Sequence, residues 1–206
     1  MDKKKEEVKT FNIITLGDSG VGKTSIIYRY VKNKFDDNNS STLGINFSYK
    51  EIKLNNKDKI ILKLKLVDTA GQEKYKALAK SYFKNVDVVL FVFSMNDKET
   101  FDTIKDWMVL FNNNNSKEDI PKYLVGNKSD LEINVEQSLI DEFVKENKIP
   151  YMSTSAKDNK NIDELFEEIG KKLYFDYQQK GDKGQTNLQI KIKKKQKKNC
   201  CLGPDP

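Results

Sequence analysis

Gly17-Asp18-Ser19-Gly20-Val21-Gly22-Lys23-Thr24 sets small residues, one amine and one hydroxyl in the spacing G-x-x-x-x-G-K-[ST], a pattern suited to gripping phosphate. Glycines let the backbone wrap closely, so that N–H groups from Asp18 to Gly22 point at phosphate oxygens. A helix opening at Thr24 and Ser25 adds its positive end. The Lys23 ammonium suits the β and γ oxygens of a nucleotide, and the Thr24 hydroxyl is placed to bind Mg²⁺. A chance Gly-rich turn is the plain alternative, but this segment directly follows an apolar run and opens a helical one, the context the motif requires.

Phosphate loops serve kinases and ATPases as well, so the base has to be read separately. Asn127-Lys128-Ser129-Asp130 follows an apolar segment ending at Val125-Gly126. A carboxylate at Asp130 can accept from the N1–H and exocyclic amine of guanine, a donor pair that adenine lacks. Ser155-Ala156-Lys157 can offer a backbone N–H to the guanine O6. Each segment alone is weak; two of them after successive strands favour guanine. A third motif, Asp68-Thr69-Ala70-Gly71-Gln72-Glu73, places a carboxylate for Mg²⁺ at Asp68, an N–H for the γ-phosphate at Gly71, and an amide that can orient an attacking water at Gln72.

The elements that must hold these groups emerge from periodicity. Phe11 to Leu16 is a compact apolar run that predicts a buried strand, and Thr24 to Lys34 has helical spacing through Ile26, Ile27, Tyr30 and Val31. Ile45 to Leu54 and Ile60 to Val67 read as strands around the turn Asn55-Asn56-Lys57-Asp58, with Ile60, Leu62, Leu64 and Leu66 on one face. Val86 to Phe93, Lys122 to Val125 and Ile149 to Ser153 read as further strands. Lys98 to Phe111, Gln137 to Asn147 and Ile162 to Tyr177 read as helices, and Asn112 to Asn115 as a loop insertion. This order predicts an α/β fold: a six-stranded, mostly parallel sheet with one antiparallel strand and helices on both faces.

Composition narrows the chemistry. The 206 residues include no histidine, which excludes Ser-His-Asp and Cys-His catalysis and most catalytic zinc sites. The two cysteines, Cys200 and Cys201, are adjacent and cannot staple a domain, so a reducing compartment is expected. The charged start of the chain has no apolar run after it, so no secretory signal is expected. Of the net charge of +6, Gln189 to Pro206 carries +5 through six lysines and one aspartate, leaving +1 for the first 188 residues. A basic tail on a near-neutral body argues against nucleic acid as partner. The expected organisation is a flexible leader at 1–9, one nucleotide-binding domain at 10–179, and a disordered polybasic tail at 180–206 that carries Cys-Cys. The lone Trp107 is expected to be core.

With its phosphate, metal and base motifs in this order, the chain resembles a Ras-superfamily small GTPase of the Rab family over about residues 10 to 178. The Rab leaning rests on Leu43-Gly44-Ile45-Asn46-Phe47, Lys74-Tyr75-Lys76-Ala77-Leu78 and Tyr82-Phe83-Lys84-Asn85-Val86. The resemblance implies a GTP-binding and GTP-hydrolysing switch in vesicle traffic, slow without an activating protein, with Mg²⁺ and GTP or GDP bound. It implies that Thr42 joins Thr24 and Asp68 at the metal when GTP is bound, that Phe35 packs on the guanine edge, and that Gln72, Lys23 and Gly71 serve hydrolysis. Implied partners are an exchange factor, an activating protein, effectors and an escort or dissociation inhibitor, for a monomer cycling between cytosol and the cytoplasmic face of intracellular membranes. Two departures stand out. Val67 replaces the usual Trp before Asp68, which should thin an aromatic cluster of Phe47 and Tyr82. Five residues follow Cys200-Cys201, where the family's lipidated cysteines lie at or near the end. A GTP-binding scaffold that hardly turns over and an ATP-using kinase are the rival readings; the first is opposed by Gln72, and the second leaves Asn127 to Asp130 unexplained.

Overall fold

The computed structural model describes residues 7–36, 42, 44–53, 60–71, 76–117 and 119–179. Six strands form one sheet: β1 (Glu7–Leu16), β2 (Ile45–Lys53), β3 (Ile60–Thr69), β4 (Val88–Ser94), β5 (Lys122–Asn127) and β6 (Tyr151–Ser153). Their spatial order is β2-β3-β1-β4-β5-β6, with every neighbouring pair parallel except β2 and β3. Helices α1 (Lys23–Lys32), α2 (Lys76–Phe83), α3 (Lys98–Asp102), α4 (Ile104–Asn114) and α5 (Gln137–Asn147), and α6 at 162–179, complete the architecture. This is the expected doubly wound fold. The strand order reverses at β1, which pairs with β3 on one side and β4 on the other, and the phosphate loop leaves the end of β1 at this switch point.

Alternation along the strands divides the core into two layers. Ile13, Leu62, Leu64 and Leu66 face one way and pack with Ile26, Ile27 and Tyr30 of α1 and with Leu165, Phe166 and Ile169 of α6. Ile14, Leu16, Phe91 and Phe93 face the other way and pack with Phe83 of α2, Phe101 of α3, Trp107 and Phe111 of α4 and Phe143 of α5. Strand β4 is buried along its whole length, which is why its sequence is uniformly apolar rather than alternating. Tyr30 stacks on Phe166 at 3.9 Å between ring centroids, joining α1 to α6.

The structure differs from the sequence reading in several places. Strand β1 begins at Glu7 and pairs with β3 from there, so Glu7 to Lys9 are strand rather than leader. The expected helix at Lys98 to Phe111 is two helices, broken at Thr103, and the second runs on through Asn112 to Asn114. The polyasparagine stretch is therefore mostly a helix end: the Asn114 amide donates to the Leu110 carbonyl at 2.8 Å, and the Asn115 amide reaches the Phe83 carbonyl at the end of α2. Asp68 and Asn127 lie inside β3 and β5 rather than after them. Helix α1 stops at Lys32 because Asn33 turns left-handed (φ 53°), its N–H closing onto the Arg29 carbonyl at 2.8 Å. The turn at Asn55 to Asp58 and the tail at 180–206, with Cys200 and Cys201, lie outside the described residues.

Candidate functional site

Three groups expected at the metal meet from three elements. The Thr24 hydroxyl, at the start of α1, lies 2.6 Å from the Thr42 hydroxyl and donates to Asp68 Oδ2 at 2.7 Å. Thr42 Oγ1 is 3.5 Å from the same carboxylate oxygen. Asp68 is buried, and among the described residues its other oxygen, Oδ1, has no hydrogen-bond partner. Burial pushes the Asp68 carboxyl upward, opposed by the Thr24 hydroxyl, the Lys23 charge and the Thr42 hydroxyl. A buried carboxylate oxygen with no donor, beside two hydroxyls, fits a hard cation with oxygen ligands.

The phosphate loop lies against this cluster. Gly22, immediately before α1, has φ 95°, and a Cβ there would overlap the Asn127 amide. Lys23 is buried and donates to the carbonyls of Gly17 and Asp18 at 2.9 and 2.6 Å. Burial lowers its pKa to about 8, with Asp68 and then Asp18 acting in the opposite sense. Gly71 presses on the loop from the far side, where any Cβ would overlap the backbone of Asp18 and Ser19. The Ala70 N–H donates to the Gly44 carbonyl at 2.9 Å, tying the segment after β3 to the one before β2. Gln72 lies outside the described residues.

A cavity of about 340 Å³ opens beside the loop, lined by Gly20, Gly22, Ser25 and Phe35 on one side and by Asn127, Lys128, Asp130, Ala156 and Lys157 on the other. The expected base-reading segments thus share one pocket with Phe35. The Asn127 amide donates to the Val21 carbonyl at 2.9 Å, and its oxygen receives the Thr154 hydroxyl and the Ala156 N–H, each at 3.3 Å. Ser155 Oγ donates to Asp130 Oδ1 at 2.6 Å. Asn127 therefore joins three loops, and Ser155 aims the Asp130 carboxylate.

Sequence reasoning missed the groups that brace the phosphate loop. Asp18 Oδ2 accepts from the Thr103 hydroxyl at 2.6 Å and Asp18 Oδ1 from the Trp107 indole N–H at 2.8 Å. Trp107 is core, as expected, yet its polar edge serves the site. Spacing gives no sign of this, because the partners are 89 residues apart. Arg29 belongs to no sequence motif, yet its guanidinium binds the Ala156 and Lys157 carbonyls at 2.7 and 2.8 Å.

On the sheet face beside α2, Phe47 of β2 lies in register with Val67 of β3 and 5.5 Å from the Tyr82 ring. Val67 is buried, and the Lys65 ammonium sits 4.3 Å from the centre of the exposed Phe47 ring. The aromatic pair survives without a Trp, with a cation beside it.

Comparison with known proteins supplies the family. The Ras family model matches residues 12–175. The chain is 38% identical over 165 residues to Ras-related protein Rab-11B of Dictyostelium discoideum, covering 79% of this chain and 73% of that one. It is 31% identical over 200 residues to rat Ras-related protein Rab-13, covering 94% and 96%. It is 32% identical over 197 residues to Ras-related protein SEC4 of Saccharomyces cerevisiae, covering 92% and 90%. The match spans every element from β1 to α6, and with it the chain belongs to the Ras family, as a Rab-like small GTPase.

Proposed function

We propose that this Rab-like GTPase is a nucleotide-operated switch in vesicle and membrane traffic, and that the residues described above divide its work. Lys23 and the loop N–H groups bind the phosphates, Thr24, Thr42 and Asp68 hold Mg²⁺, and Asp130 reads the guanine edge with help from the Ala156–Lys157 turn. Bound Mg²⁺ would neutralise charge on the phosphate oxygens. Gly71 would offer its N–H to the γ-phosphate, while Gln72 would orient the water that attacks the γ-phosphorus. That attack breaks the bond to the β–γ bridging oxygen and leaves GDP and phosphate. Because Thr42 and Gly71 stand on the segments joined at Gly44 and Ala70, loss of the γ-phosphate would release both segments together.

The observation that carries this reading is the convergence of Thr24, Thr42 and the half-unpaired Asp68 carboxylate. Effectors would meet the Phe47–Tyr82 pair with Lys65 at its rim, and exchange and activating proteins would act on the same segments. Cys200 and Cys201 would carry lipid, added with the help of an escort protein, and with the six lysines of the tail would hold the GTPase on the cytoplasmic face of intracellular membranes, from which a dissociation inhibitor would extract it. Single-turnover hydrolysis of bound GTP tests the enzymatic core. Phosphate release that needs Mg²⁺ and resists excess ATP is expected; GTP that stays intact would favour the scaffold, and equal competition by ATP the kinase.

A further inference from the structure

We propose that Arg29, the one arginine of the chain, is a positioning residue for base recognition, holding the Ala156–Lys157 turn so that its backbone reads the C6 edge of the base. The inference rests on the guanine reading above. Arg29 lies on α1, well past the phosphate loop, and its guanidinium is spent on backbone. Nε donates to the Ala156 carbonyl at 2.7 Å, one Nη to the Lys157 carbonyl at 2.8 Å, and the other Nη to the Asn33 carbonyl at 3.2 Å. The planar fork thus grips two consecutive carbonyls of the turn and the residue that ends its own helix.

Peptide planarity turns this grip into a constraint on the N–H groups. The Ala156 carbonyl and the Lys157 N–H belong to one trans peptide and point in opposite directions. Fixing that carbonyl on Arg29 turns the Lys157 N–H away from α1. Among the described residues the Lys157 N–H meets no acceptor, and the Ala156 N–H is only loosely held, 3.3 Å from Asn127 Oδ1. Both residues line the cavity that Asp130 also faces. Their neighbours are already engaged: the Ser155 N–H on the Lys160 carbonyl and the Asp158 N–H on Ser155 Oγ. The turn therefore presents donors to the cavity only at Ala156 and Lys157, and the peptides on the C-terminal side of both residues are clamped by Arg29. A lysine could satisfy one carbonyl as a point charge, but not two with a fork.

Asp130 and this turn would read different edges of the same base, which makes the claim separable. The C2 edge is probed by comparing GDP with IDP, which lacks the exocyclic amine. The C6 edge is probed by comparing GDP with 6-thioguanosine diphosphate, which keeps the N1–H and the C2 amine and puts a weakly accepting sulfur in place of the oxygen. In Arg29→Gln, discrimination at C6 should fall by about tenfold, the scale of one lost hydrogen-bond preference, while the GDP/IDP ratio stays within about twofold. Arg29→Lys should lie between Arg29→Gln and the wild type at C6, and it keeps the test alive if the glutamine variant does not fold. Melting temperature is measured alongside. Equal loss at both edges, or a lower melting temperature with both ratios intact, would make Arg29 merely structural and overturn the proposal. If the wild type fails to prefer GDP over ADP, the guanine reading itself fails, an outcome distinct from either variant result.

Discussion

The indole N–H of Trp107 donates to Asp18 at 2.8 Å, so a residue at the centre of one core layer holds the first turn of the phosphate loop. Thr103, at the break between α3 and α4, holds the other oxygen of the same carboxylate at 2.6 Å. Trp107→Phe keeps much of the buried ring and removes the donor. We expect a loss of about 1.5–3 kcal/mol, as for a hydrogen bond to a charged group, seen as a lower urea midpoint with an unchanged slope. GDP release should also quicken, measured with a fluorescent GDP analogue; a stable variant that retains GDP normally would reduce Trp107 to packing alone.

Asp130→Asn should weaken GTP and favour xanthosine triphosphate, whose C2 carbonyl suits an amide donor. The cost for GTP should be at least about 1.5–3 kcal/mol. Because Ser155 Oγ donates to Asp130 at 2.6 Å, Ser155→Ala should reproduce a fraction of this loss without the change in preference. Equilibrium competition with the two triphosphates separates the cases.

Chelation of Mg²⁺ tests the metal cluster. In the wild type, EDTA should accelerate nucleotide release. In Asp68→Asn release should already be fast and respond little to EDTA, because the buried carboxylate that favours the cation is gone. Thr24→Asn should weaken GTP more than GDP. An EDTA response of normal size in Asp68→Asn would move the cation elsewhere.

Hydrolysis without a partner should be slow. Arg29 is occupied by the carbonyls of Ala156 and Lys157, so this chain's one guanidinium is not free to stabilise charge at the γ-phosphate. Intrinsic rates on the order of 10⁻⁴ s⁻¹ are expected, as for Ras-type enzymes with no arginine supplied. Gln72→Leu should slow this further; turnover above about 10⁻² s⁻¹ would point to an arginine-independent device.

Anchoring can be tested on protein from its native cell. Cys200→Ser with Cys201→Ser should shift the protein to the cytosol, and intact mass should show lipid on the membrane fraction of the wild type. Free thiols on membrane-bound protein would assign the attachment to something else.

The sheet and its single antiparallel strand were legible because the central strands advertised their burial, with a solid apolar run in β4, alternation in β3 and glycine punctuation after β1; the spatial order of the strands came from the structure. The segments that converge on the cavity and on Asp68 were legible because phosphate and base chemistry require particular residue types close together in sequence. The braces were not. Trp107 and Asp18, or Arg29 and Lys157, meet only because the sheet brings distant segments together, and nothing local distinguishes a tryptophan with a hydrogen-bonded edge from one without. The break at Thr103 was hidden for a similar reason: Lys98 to Phe111 keeps helical spacing, while the Thr103 hydroxyl donates to Asp18 at 2.6 Å and lies 3.1 Å from the Thr100 carbonyl.

The asparagine tract at the end of α4 holds α2 through the contact between Asn115 and Phe83. Runs of one amino acid are readily lengthened or shortened during replication, and a surface loop would absorb such changes freely. Here one asparagine added to the run leaves an asparagine at the latching position, whereas one removed brings Ser116 to it, a side chain with no amide to reach the carbonyl. Copy-number drift in this tract is therefore one-sided: growth is passed on to the segment after Asn115, while shortening unfastens α4 from α2.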